Sequence, residues 1–361
     1  MINLSAFGYE KDMNISDIIP ETWGRKDFIN GQMVEKFEKS FAEYCNVDYC
    51  VGVGSCTSAL QLSLIALDIG SGDEVITTPY TWVSSVECIR QVGATPVFAD
   101  IGLKDFCIAT DILERKITDR TKAIIGVDLF GNVCDIDELK KFNVPIIEDA
   151  AQSTGAKYKG KRVGGLADIT CFSFYPTKNL SCWGDGGAIT TNEKHFERKI
   201  RRLRNHGQTE KFQIEGVGWN SRLDTIHAEV LYRKLYHLDK WNARRKEIAE
   251  IYNNEFKGLF VTPSANEHSD HVWHQYVLLS KDMDKIKTHL NKNDIQARTY
   301  YPTPLHRSSP YWEEGSLHLA SEHASENGLA IPVHQFLTDE DIERIIKKVK
   351  EAILLKVMQE E

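Results

Sequence analysis

The chain reads as an α/β protein: a mostly parallel sheet covered by helices on both faces, followed by a smaller α+β part. Three observations predict this. Short apolar runs alternate with helical patterns through the first half of the sequence, as a parallel sheet with helical crossovers requires. After Asn220 the alternation stops and a long amphipathic stretch takes over. No internal repeat or low-complexity linker interrupts the 361 residues, a length that suits one large domain with an appendage, or two domains.

Strand signals fall at Tyr49–Val53, Glu74–Thr77, Pro96–Ala99, Ala123–Val127 and Pro145–Ile147. Helical patterns separate most of them, at Thr57–Leu67, Val83–Val92 and Ile136–Phe142; in the first, Leu60, Leu64 and Leu67 share one face. Ile169–Phe174 and Ala188–Thr191 read as two further strands, on either side of Lys178. From about Thr225 to Phe256, Leu231, Leu235 and Leu238 recur at helical spacing, which predicts a connecting helix or helix pair. The apolar His274–Leu279, the Arg298–Tyr301 stretch and a last helix from Asp339 to Met358 make up the smaller part. Pro302 and Pro304 turn Tyr301–His306 into a loop. The division falls between residues 1–237, an N-terminal arm and large domain, and residues 238–361, the connecting helix and small domain.

Composition excludes several classes. A net charge of −8 and a sequence pI near 5.9 leave no basic footprint for nucleic acid. No apolar run approaches the roughly 20 residues that span a bilayer, and Met1–Ser5 lacks the pattern of a signal peptide. The eight cysteines include no C-x-x-C pair and several sit in strand-like stretches. They read as reduced thiols in a cytoplasmic protein, and no zinc or other metal is expected.

One constellation carries chemistry. The run Val144–Ile147 is closed by Glu148, Asp149, Ala150, Ala151 and Gln152. About thirty residues on, Lys178 stands between Ser173–Thr177 and the glycine-rich Gly184-Asp185-Gly186-Gly187. An acid at a strand end and a lysine on a glycine-flanked loop are what pyridoxal phosphate chemistry needs: the acid keeps the pyridine nitrogen protonated, and the lysine amine forms the Schiff base. Singly, each has a plainer explanation, a solvated surface lysine and a helix-capping carboxylate. The third element is Val51–Leu60, where a strand breaks at Gly54 into Ser55, Cys56, Thr57 and Ser58 before a helix. Amides at such a helix start bind an anion without a charged side chain, although a Ser/Thr cap alone would look the same. A nucleotide loop fits poorly, because no lysine follows the glycines and no G-x-G-x-x-G spacing occurs.

Seven segments, Gly54–Leu64, Gly72–Ser85, Gly93–Ile101, Ile146–Ala156, Ser173–Leu180, Gly184–Ala188 and Gly218–Leu231, follow one another as in the DegT/DnrJ-type sugar aminotransferases, which the chain resembles from about Asn30 to Pro332–His334. The resemblance implies a pyridoxal-phosphate transferase of fold type I, the aspartate-aminotransferase fold. It implies amino transfer from an L-amino acid, glutamate or glutamine, to a nucleotide-linked keto-deoxysugar in amino-sugar biosynthesis, with pyridoxamine phosphate as the intermediate cofactor form. By the same resemblance Lys178 and Asp149 are catalytic. Cys56 and Thr57 give backbone amides to the phosphate, Ser173 adds a hydroxyl, Trp82 covers the ring face and Gln152 lies near the phenolic oxygen. For Trp82, Gln152 and Ser173 the plainer roles are a core tryptophan, a surface amide and a strand serine bonded to backbone. Asn220 would reach the phosphate of the neighbouring subunit, which makes the protein a homodimer with shared active sites.

Departures from the pattern bear on the substrate. Cys56 replaces a small glycine or alanine, and Trp183 has no counterpart. Tyr175 and Gly184–Gly187 resemble enzymes that aminate C3, whereas Thr81–Ser84 resembles those acting at C4, which is given a slight preference. Trp183, Tyr301, His306 and His334 are weak sugar-pocket candidates; Arg222, Arg298 and Arg307 could each grip a donor carboxylate. A sugar dehydratase on the same scaffold would carry histidine in place of Lys178. A non-catalytic regulator built on the fold is disfavoured by the acidic charge and the lack of a helix-turn-helix.

Overall fold

The computed structural model describes residues 1–6, 22, 24–312 and 315–360; most of the expected N-terminal arm, residues 7–21, lies outside them. Seven strands build the central sheet: β1 (Tyr49–Val53), β2 (Glu74–Thr77), β3 (Thr95–Phe98), β4 (Thr121–Val127), β5 (Ile146–Asp149), β6 (Ile169–Ser173) and β7 (Gly187–Thr191). Their order is β1-β7-β6-β5-β4-β2-β3. Only β7 runs against its neighbours; the pairs among β2, β3, β4, β5 and β6 are parallel. Six carboxyl ends therefore lie along one rim, joined there by the amino end of β7, and ligands of open α/β sheets bind along such a rim.

Local chemistry explains the strand ends. Pro96 sits in β3, an edge strand, where its missing N–H costs no ladder bond. β5 runs two residues beyond the expected Ile147, so Glu148 and Asp149 are strand residues, both buried. Charge disfavours strands, but a sheet covered on both faces buries whatever the pairing register dictates.

Helices cover both faces. On one side α1 (Gln32–Cys45) and α6 (Thr225–Leu235) pack a core in which Phe37, Phe41, Phe172 and Phe174 meet edge to face. On the other, α2 (Cys56–Ala66), α3 (Ser84–Gln91) and α5 (Lys194–Leu203) enclose Leu60, Leu64, Val75, Ile125 and Ile189. The short α4 (Ile136–Lys140) links β4 to β5. The long amphipathic stretch resolves into α6 and α7 (Leu238–Glu255). A third core unites α7, β8 (Tyr276–Leu279), α8 (Met283–Lys292), β9 (Gly328–Ile331) and α10 (Asp339–Glu360). Ile2 joins that core from the other end of the chain. Helix α9 (Leu319–Asn327) has its first amides held by the carboxylate of Asp100.

The outer edge of β1 is closed by side chains. Gly52 N–H donates to Glu38 Oε1 at 2.8 Å, Arg204 Nη1 donates to Gly52 O at 2.5 Å, and Arg201 Nη2 donates to Cys50 O at 3.0 Å. Arg204 also pairs with Glu38 at 2.7 Å, so the buried carboxylate and guanidinium neutralise one another.

Candidate active site

A cavity of about 540 Å³ opens on the rim where β1, β2, β5 and β6 end. Each wall is placed by the element beneath it. The break after β1 delivers Ser55, whose hydroxyl accepts the Ser58 N–H at 3.1 Å and caps α2. The amides of Cys56 and Thr57, the first two residues of α2, find no partner among the described residues. Thr57 Oγ1 lies 2.7 Å from Ser84 Oγ, tying this turn to the start of α3.

Asp149, the last residue of β5, points into the cavity floor. Its Oδ2 accepts from Ser85 Oγ at 2.7 Å and its Oδ1 from Ala151 N at 3.1 Å; the Cys56 thiol lies 3.8 Å from Oδ1. Burial pushes this acid above the usual carboxylate range, against the pull of the Ser85 and Ala151 hydrogen bonds and the Lys178 charge.

Lys178 rides on a loop closed at both ends: Phe174 N donates to Gly186 O and Cys182 N to Phe174 O, both at 2.8 Å. Its neighbour Asn179 is pinned by donation to Val272 O at 3.0 Å and Asn242 Oδ1 at 2.9 Å, while His274 Nδ1 lies 3.1 Å from Asn179 Oδ1. Sequence reading passed over Asn179, which fixes the lysine's place in space through partners far along the chain. The Lys178 Nζ makes no hydrogen bond or ion pair among the described residues, and its side chain is half-buried against the cavity. Desolvation pushes its pKa down, with Cys56 and Asp149 opposing.

The remaining expected residues divide. Trp82 is 60% exposed and lines the cavity 6.2 Å from the Tyr301 ring, so it is no core tryptophan. Gln152 is buried, accepts the Phe130 N–H at 2.7 Å and donates to Tyr301 Oη at 3.0 Å, which is not a surface amide's environment. Ser173 and Tyr301 also line the cavity. Asn220 does not: it is exposed, on the segment after α5, bridged to Asn205.

The other sugar-pocket candidates lie elsewhere. His306 is fully buried, 2.9 Å from Glu322, because Leu305 N bonds to Pro79 O and draws the turn inward. His334 is buried near Arg245, and burial pushes its pKa down to about 3. Trp183 is half-buried and outside the lining. Of the three arginines, Arg307 is held by Glu322 and Arg222 by Asn205. Arg298 lines the cavity and forms no ion pair among the described residues. A larger, shallower groove of about 750 Å³ runs along α5, but Glu38, Glu197 and Glu215 already hold its arginines 201, 202 and 204. No group of acids, histidines and cysteines among the described residues is arranged to hold a metal ion.

These groups suit pyridoxal phosphate: open amides for a phosphate, a buried carboxylate for a protonated ring nitrogen and an unengaged amine for an aldehyde. The model of the DegT/DnrJ/EryC1/StrS aminotransferase family matches residues 10–350. A Streptomyces venezuelae protein named dTDP-3-amino-3,4,6-trideoxy-alpha-D-glucose transaminase is 39% identical over 334 residues, 90% of this chain and 88% of its own. An Aneurinibacillus thermoaerophilus protein named dTDP-3-amino-3,6-dideoxy-alpha-D-galactopyranose transaminase is 39% identical, with 94% and 95% covered. The structure of NtdA from Bacillus subtilis with bound cofactor PMP superposes with a TM-score of 0.88 at 28% identity, covering 94% of this chain and 81% of that one.

Proposed function

The chain belongs to the DegT/DnrJ/EryC1/StrS aminotransferase family, and from that premise we propose how its own residues serve a pyridoxal-phosphate-dependent nucleotide-sugar aminotransferase. The observation that carries the proposal is the convergence of Lys178, Asp149 and the open Cys56–Thr57 amides on one cavity. Bound pyridoxal phosphate supplies an electron-withdrawing ring and an aldehyde that takes up nitrogen and hands it over.

Around it, Cys56, Thr57 and Ser173 hold the phosphate, Asp149 holds the proton on the ring nitrogen, and Trp82 shields the ring face. Gln152, anchored to Tyr301, orients the phenolic edge. Lys178 holds the cofactor between turnovers. Once an amino acid displaces it, its amine would move the proton from the donor's α-carbon to the cofactor's C4′, and in the second half would run the shift in reverse, from C4′ to the sugar carbon. A lowered lysine pKa suits both duties. The donor is glutamate or glutamine, and Arg298 is the wall cation available to its carboxylate.

The acceptor is a nucleotide-linked keto-deoxysugar. Thr81–Ser84 speaks for C4, while the names of the relatives put the amino group at C3; with two thymidine-linked relatives naming it, we take C3. The enzyme is a homodimer in the cytoplasm. The exposed Asn220, outside its own cavity, suits service to a partner's phosphate, and eight free, buried cysteines suit a reducing compartment. The division at residue 237 is retained because Leu238 opens α7, whose Ile248 and Tyr252 belong to the third core.

The test is a half-reaction. Isotope-labelled L-glutamate should convert the bound cofactor to pyridoxamine phosphate, and a nucleotide keto sugar should restore it and carry the label in its mass. Label passing only to simple α-keto acids would make this an amino-acid aminotransferase.

A further inference from the structure

Below the Trp82 turn, a short chain of hydroxyls reaches the buried acid. We propose that Ser85 is a positioning residue that orients the Asp149 carboxylate and holds it ionised, an inference resting on the pyridoxal phosphate site proposed above. Ser85 is 1% exposed, in the first turn of α3, with its Oγ 2.7 Å from Asp149 Oδ2 and 3.0 Å from Thr81 Oγ1. An ionised carboxylate can only accept. The single Ser85 proton is therefore committed to Asp149, and Thr81 must donate to Ser85. The order Thr81 to Ser85 to Asp149 is fixed by chemistry.

The two oxygens of Asp149 have different keepers. Ala151 N–H and the Cys56 thiol reach Oδ1, while Ser85 is the one donor to Oδ2 among the described residues. Without Ser85 one oxygen would be buried and bare, and the carboxylate plane would be free to swing. The surrounding groups cannot substitute. The cysteines 56, 88 and 171 and Tyr301 are pushed up by burial and stay neutral, and Asp128 is also raised. Among the described residues Lys178 is the cation whose charge bears most on the acid, and it is the group proposed to engage the cofactor. The same turn that presents Trp82 to the cavity thus braces the acid behind it.

Cofactor-stripped protein is titrated with pyridoxal phosphate as wild type, Ser85→Ala, Thr81→Ala, Asp149→Asn and the Ser85→Ala/Asp149→Asn double variant. Ser85→Ala should weaken cofactor binding about tenfold and move the acid limb of kcat/KM up by about one pH unit, since a carboxylate that loses a donor keeps its proton longer. Thr81→Ala should shift both in the same direction by less, which guards against a Ser85 variant that fails to fold. In the Asp149→Asn background Ser85→Ala should cost nothing further. An equal loss in both backgrounds, or an unmoved acid limb, overturns the Ser85 role while leaving the cofactor site standing. Wild-type protein that takes up no pyridoxal phosphate sinks the cofactor site and this inference together.

Discussion

Gly187, the first residue of β7, has no room for a side chain. A Cβ built there would lie 2.6 Å from the carbonyl carbon of Ser55, 2.8 Å from Cys56 N and 2.8 Å from Phe172 O. All three are backbone atoms, so no rotamer change relieves them. Reaching ordinary contact near 3.4 Å demands a backbone shift of about 0.6–0.8 Å, and overpacking of that kind costs about 1–3 kcal/mol. The softer side is the Ser55–Thr57 turn, because Phe172 is locked between β5 and β7. If the turn yields, the amides proposed to hold phosphate move with it. At 1.4 kcal/mol per factor of ten, Gly187→Ala should weaken pyridoxal phosphate binding by about 10- to 100-fold. Part of the cost should appear instead as a lower Tm of the stripped protein. Gly54→Ala is the control: it lies in the loop motif itself, yet its nearest neighbours are Arg222 O and Ser221 Oγ, both at 3.6 Å. It should bind nearly as wild type. The two would be read by fluorescence titration and thermal melting side by side. Gly187→Ala that keeps wild-type affinity and Tm would refute the steric argument.

Three further outcomes are expected. Lys178→Ala should lose turnover, and borohydride treatment with pyridoxal phosphate should attach no cofactor mass at that position; retained near-normal turnover would remove Lys178 from the mechanism. Mixing Lys178→Ala with Asn220→Ala subunits should regenerate one intact site per heterodimer; heterodimers without activity, with Asn220→Ala impaired alone, would put Asn220 outside the partner's site. Burial raises Glu148 from an ordinary 4.5 to about 7 beside Asp128. Between those values the native state keeps a proton that the unfolded chain releases, so this contribution to stability is full below about pH 4.5 and lost as pH rises through 7. Urea midpoints from pH 5 to 8 should fall less steeply for Glu148→Gln, and an unchanged slope would remove the pair from the pH response.

The sheet was legible because its strands are short apolar runs between turn residues, and most ends fell within one or two positions of the reading. Helix α5 was not, since Phe196, Ile200 and Leu203 stand among six charged residues of its ten. The hairpin of Gln208–Glu210 with Gln213–Ile214 is equally faint, being exposed and free of any burial pattern. At the site, motif-borne residues such as Lys178 and Asp149 came from the sequence. Ser85 and Asn179 acquire meaning only from partners brought by folding: Ser85 meets Asp149 across 64 positions. His306 shows the reverse error. A histidine in a proline-rich loop suggests a pocket, but the Pro79–Leu305 backbone bond turns it into the interior.

The side-chain closure of β1 bears on how this protein behaves in a crowd. An exposed strand edge is a template on which another molecule's strand can add, the first step toward fibrous aggregates. Glu38, Arg201 and Arg204 occupy the outward amide and carbonyls of Gly52 and Cys50, so an arriving strand would first have to displace a charged pair from its partners. Arg204→Leu would keep much of the bulk yet leave Glu38 without that partner and the Gly52 carbonyl open. Such a variant should remain folded long enough to scatter light at high concentration, where the parent chain stays clear.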